Sequence, residues 1–141
     1  MKRKSYLPLA LTSIVLVLAV FLMNSCSFST ANIASADFAK EVPGGKTEKI
    51  GTTYRPTDGP FHLLVSVANA PDGTKVKAVW YSVGTDNGKD EKIDEYEVSS
   101  GDLSAIDFNL SLPRPWPTGK YKVDLFLNDK LDRSLPFTVE P

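Results

Sequence analysis

Cysteine and histidine are almost missing from this chain: its 141 residues contain one of each, Cys26 and His62. A single cysteine excludes an intrachain disulfide, so any folded domain must hold by packing alone. A single histidine, with the only thiol at the end of an apolar N-terminal run, leaves no zinc ligand set and no thiol–imidazole pair. A basic excess is missing too. Three of the 16 basic residues are Lys2, Arg3 and Lys4, so from Cys26 onward 13 basic groups face 17 acidic ones, net −4. That balance argues against a nucleic-acid partner, whose phosphates need a basic footprint. No serine stands in a G-x-S-x-G frame, and no Gly-rich loop follows a strand and opens a helix. The expectation is a non-enzymatic protein with no cofactor and no metal site. The densest acidic stretch, Asp86-Asn87-Gly88-Lys89-Asp90-Glu91-Lys92-Ile93-Asp94-Glu95, lacks calcium-loop spacing and is interrupted by two lysines. It reads as a solvated loop joining two strands.

What is present begins with Lys2-Arg3-Lys4, a mostly apolar run over residues 7–23, and then small or polar residues. That order is the pattern of a secretory signal peptide over residues 1–25. As a helix the run would measure about 26 Å, slightly less than the ~30 Å hydrocarbon core, so an uncleaved anchor stays open. In either case the basic end stays cytoplasmic and the rest faces outward. Leu22-Met23-Asn24-Ser25-Cys26 resembles the lipobox of bacterial lipoproteins, with Ser25 as the small residue beside the cysteine. Met23 stands where that family usually has leucine, and Asn24 is less usual at its position. The resemblance implies cleavage before Cys26, a diacylglyceryl group on its sulfur and an acyl chain on its freed amine. Each buried CH₂ adds about 0.8 kcal/mol, so several chains anchor firmly where one is marginal. The competing site is Ala34-Ser35-Ala36, an A-x-A signal for ordinary cleavage after Ala36, well past the apolar run.

Residues 26–45 are rich in Ser, Ala, Thr, Gly and Asn without a sustained period, and read as a lipidated cysteine plus flexible tether ended by Pro43-Gly44-Gly45. From residue 46 the hydrophobic period becomes two. Phe61, Leu63, Val65 and Val67 form one face; Val76, Ala78 and Trp80 another; Ile106, Phe108, Leu110 and Leu112 a third; Tyr121, Val123, Leu125 and Leu127 a fourth; Leu135, Phe137 and Val139 a last. Weaker strands are expected over residues 47–54 and 92–98, and turn signals such as Ala70-Pro71-Asp72-Gly73 and Asn128-Asp129-Lys130 separate the runs. No long segment has helical period. The fold class is all-β: a sandwich of about seven antiparallel strands over residues 46–141, preceded by the signal or anchor helix and the tether.

This stretch resembles immunoglobulin-like and fibronectin III-like domains. A first core strand (residues 61–68) is followed by one carrying Trp80, and Gly119-Lys120-Tyr121-Lys122-Val123 is similar to the penultimate strand, where a corner tyrosine sits two residues before a core position. The resemblance implies that Tyr121 is that tyrosine and that Val65 or Val67 with Val123 fills the place of the inter-sheet cysteines. Antibody-type membership is excluded by the lack of those cysteines.

Three aromatics are candidates for a binding surface. Tyr81 and Phe126 lie on faces opposite Trp80 and Tyr121, and with Val79 and Val83 would form an outward apolar patch unless the tether or a neighbouring strand covers it. Trp116 stands in Pro113-Arg114-Pro115-Trp116-Pro117, a rigid loop that either presents the indole or plugs the end of the core with it. His62 reads as a surface or half-buried strand residue. The functional expectation is a lipid-anchored, extracytoplasmic immunoglobulin-like module on a bacterial membrane, acting through an unknown protein partner or as an envelope component. The alternative is a ligand- or carbohydrate-binding accessory domain using Trp116 or Tyr81.

Overall fold

The computed structural model describes residues 30–99 and 103–141. The signal segment and Cys26 lie outside the described residues, as do residues 100–102. Nine strands follow one another: β1 (Asn32–Val42), β2 (Lys46–Lys49), β3 (Thr53–Tyr54), β4 (Phe61–Ala68), β5 (Val76–Ser82), β6 (Glu91–Val98), β7 (Ile106–Leu110), β8 (Gly119–Leu127) and β9 (Lys130–Val139). No helix occurs among the described residues.

Period-two alternation puts one face of each strand in a common core. In β4, β7 and β8 the expected faces are the buried ones, from Phe61, Leu63, Val65 and Val67 to Tyr121, Val123 and Leu125. One sheet has the order β2-β1-β4-β7 and the other β3-β9-β8-β5-β6. Trp80 and Val123 face each other across the β5–β8 ladder, both fully buried. The β8–β9 hairpin closes through Asn128 and Asp129, whose φ values of 49° and 65° are those of a tight two-residue turn twisted like its strands.

Two expectations need correction. The stretch read as a tether is mostly strand β1, paired antiparallel with β4 from Asn32↔Ala68 to Lys40↔Phe61. Ile33 and Phe38 enter the core, so the folded domain starts well before residue 46. The periodic signal failed for two physical reasons. A bulge between Ile33 and Ser35 shifts the alternation. In addition, Phe38 and Ala39 are buried one after the other on opposite faces. Second, the strands among the described residues number nine rather than about seven, and they are not all antiparallel. The weak strand expected over residues 47–54 divides into β2, which pairs with β1, and β3, which crosses to the other sheet and runs parallel to β9.

That crossing places the Tyr54 side chain in the core, fully buried. Its hydroxyl lies 2.9 Å from the Ala39 carbonyl and 3.0 Å from the His62 carbonyl, donating to one at a time and bridging β1 to β4. Phe137 is the hub of the aromatic cluster around it. Its ring centroid stands 5.1 Å from Phe38, 5.5 Å from Tyr54, 5.8 Å from Phe61, 6.0 Å from Trp80 and 5.3 Å from Tyr121.

Candidate functional site

The strand register brings Tyr81 and Phe126 to the outer face of the five-stranded sheet, but not together. On adjacent strands Tyr81 faces Lys122 and Lys77 faces Phe126, with the pair Val79–Asp124 midway between them. Four ladder positions separate the rings, roughly 13 Å along the strands. Each ring carries the amine of its cross-strand neighbour: Lys122 Nζ is 5.0 Å from the Tyr81 centroid and Lys77 Nζ 4.9 Å from that of Phe126. The single apolar patch expected from sequence is thus two half-buried rings, each under a cation. Between them Val79 shares that outer face but is buried rather than exposed.

The Tyr81 end is the more organised. Lys122 Nζ lies 2.8 Å from Asp90 and 3.7 Å from Asp124, and the Ser134 hydroxyl donates to Asp124. The hydrogen bond from Lys122, followed by its charge, holds the Asp90 carboxyl below the usual range, and the same bond holds the lysine above its own. Asp90 is exposed and Lys122 only half-buried, so the pair fixes orientation more than it stabilises. Beside it a shallow groove of about 360 Å³ runs over Thr52, Val83, Lys120, Tyr121, Pro136 and Phe137. Of the acidic stretch read from sequence as a loop, residues 86–90 form a turn leading into β6, while residues 91–95 already belong to that strand. Among the described residues no group of three His, Cys, Asp or Glu side chains could hold a metal ion.

Trp116 is not part of any surface: it is 4% exposed. Its indole stacks on Phe61 at 4.4 Å and 26°, and meets Tyr121 edge-on at 5.7 Å. Its amide donates to the Pro56 carbonyl at 2.9 Å, tying the proline-rich loop to residues 55–60. Nε1 is buried without a partner, directly against Gly59, where a Cβ would come within 2.9 Å of it. The loop is a plug for the end of the core. Tyr121 behaves as the corner tyrosine of the resemblance, its hydroxyl donating to the Pro117 carbonyl at 2.8 Å.

His62 differs from expectation. It points to the outer face of the four-stranded sheet yet is only 8% exposed, with Nδ1 2.9 Å and 3.0 Å from the two Asp107 carboxylate oxygens. A histidine held by a carboxylate supplies only two of the three groups that a nucleophilic triad needs. The third is absent among the described residues, since Nε2 is buried with no hydrogen-bond partner. Sequence could not reveal this pair, because Asp107 joins His62 only through the β4–β7 register, 45 residues apart.

Burial sorts the tyrosines as well. Desolvation pushes the Tyr54 hydroxyl far above its ordinary value, outweighing the two carbonyl contacts, and burial also raises Tyr121. A folded-state value above the unfolded one means the contribution is complete below about pH 10 and is lost as pH rises through the folded value. In an alkaline absorbance titration, ionisation of Tyr54 is expected to coincide with loss of the far-ultraviolet strand signal. Tyr54→Phe should reduce that late step. A Tyr54 that ionises near pH 10 in the intact fold contradicts the burial described.

No protein-family model matches the chain, and no curated protein does. Among solved structures, an immunoglobulin-like protein from Pseudomonas aeruginosa is similar at 15% identity and a TM-score of 0.49, over 78% of this chain and 96% of that one. The chain itself is an all-β sandwich of two sheets whose order β1-β4-β7 against β9-β8-β5-β6, with its corner tyrosine, is immunoglobulin-like.

Proposed function

We propose that this protein is a lipid-anchored, extracytoplasmic immunoglobulin-like module that works by contact with a protein partner or as an envelope component, without catalysis. Cys26 carries the lipid. The observation that supports this reading is the position of β1. Ordinary cleavage after Ala36 would cut through that strand and discard Ile33, a core residue 4% exposed. Cleavage before Cys26 leaves the strand whole.

The partner side is the outer face of the five-stranded sheet at its Tyr81 end, where a ring, the Lys122–Asp90 pair and the adjoining groove supply apolar and charged recognition together. A carbohydrate reading loses force because Trp116, its best stacking residue, is buried.

Expression in a bacterium with a clickable fatty acid tests the anchor. The wild-type chain should take the label and sediment with membranes, and Cys26→Ser should do neither. A variant that keeps its size and its membrane retention would identify an uncleaved helix instead. Capture of the same protein from wild-type membranes, lost in Tyr81→Ala, tests the partner face; binding on a glycan panel instead would favour the carbohydrate reading.

A further inference from the structure

The described chain opens at one pole of the sandwich. The Thr30 hydroxyl donates to the Asn69 carbonyl at 3.1 Å, and Asn32 pairs with Ala68 at the end of β4. The turn from β4 to β5 and the β8–β9 hairpin meet at this pole, because the Lys75 amide donates to the Asn128 side chain and the Asn128 amide to the Lys75 carbonyl. The proline-rich Trp116 loop and residues 55–60 lie at the opposite pole.

Resting on the lipid-anchor reading, we infer that the Asn69–Lys75 and Asn128–Leu131 pole is a bilayer-docking surface, held in the headgroup layer with the Trp116 pole pointing away. The first argument is length. Four residue steps separate Cys26 from Thr30, about 14 Å when fully extended. Headgroups occupy about 5–7 Å of that on each side of the bilayer. The remaining reach is about 8 Å, comparable to one Debye length at physiological salt and far less than the roughly 35 Å of an 11-residue strand such as β1. The pole therefore cannot leave the lipid field.

The second argument is what the pole displays. Leu131 is 49% exposed, one of two large hydrophobic side chains so exposed among the described residues. It stands opposite Phe126 in the β8–β9 ladder, beside exposed Lys130, with Lys77 over the Phe126 ring and Lys75 across the turn. An apolar side chain flanked by Lys130, with Lys75 paired to Asp129 at 3.9 Å across the turn, suits the boundary between acyl chains and anionic headgroups. Asp72 and Asp129 share the pole, so its hold is a combination of tether, Leu131 and lysines rather than net charge alone.

The test uses the full, acylated chain in vesicles of phosphatidylethanolamine with phosphatidylglycerol. Acylated Cys26 has no free thiol, so Asp72→Cys or Thr57→Cys supplies the only site for a fluorophore, one at each pole. Quenching by a lipid-borne nitroxide should be several-fold stronger at position 72 than at 57. Leu131→Ala with Lys130→Glu, both exposed positions, should bring the two closer at unchanged melting temperature. Equal quenching at the two poles, in protein that is acylated and floats with the vesicles, overturns the docking surface and leaves the anchor intact. Protein that is neither acylated nor floating overturns the anchor and the docking surface with it.

Discussion

Trp116→Ala is expected to lower stability by about 3–5 kcal/mol, toward the lower end of that range, and to lower the melting temperature accordingly. The indole fills the space between Phe61 and Tyr121 at the end of the core, and alanine would leave a cavity lined by two rings. Part of the loss is offset because an indole N–H buried without a partner disappears with the side chain. Against a total of about 5–15 kcal/mol for a small domain the effect is large, and no disulfide compensates. Denaturant unfolding measures it, and iodide quenching of the wild-type tryptophans checks its premise. A freely quenched indole at position 116 with unchanged stability of the variant would mean that this residue faces solvent. Gly59→Ala offers an independent reading of the same contact, since its Cβ would press against Nε1 at 2.9 Å.

A chain starting at Asp37 is expected not to fold, whereas one starting at Thr30 should. Removing residues 30–36 deletes the pairing of Asn32, Ile33, Ser35 and Ala36 with β4. It also removes Ile33 from the core and the carbonyl that accepts the Arg133 guanidinium at 3.0 Å. Burial of Ile33 is worth about 1.5–3 kcal/mol, and each lost hydrogen bond about 0.5–1.5. Together these approach the whole stability of a domain this size. Circular dichroism of the two chains decides it. Equal, cooperative melts would show that the first half of β1 is an ornament on a fold that begins later, and would restore the tether reading of that stretch.

Sequence alone determined the parts governed by local alternation. The core faces of β4, β7 and β8, Trp80 and Tyr121 as buried anchors, and the Asn128–Asp129 turn were legible because side chains two apart share a face and short polar residues tolerate positive φ. The lack of a disulfide and of a second histidine was equally plain. What the alternation could not carry was decided by contacts between distant segments. Strand β1 is rich in small and polar residues and has a bulge, so its identity as a strand comes from the β4 edge it pairs with. Tyr54 enters the core because β3 crosses between sheets, and two carbonyls from separate strands meet its hydroxyl. His62 and Asp107 meet only in register, and so do the lysines that sit over Tyr81 and Phe126. Whether Trp116 was plug or probe depended on where residues 55–60 close over it. A pattern along one strand reports which way a side chain points; what lies beyond it is set by the packing of segments far apart in the chain.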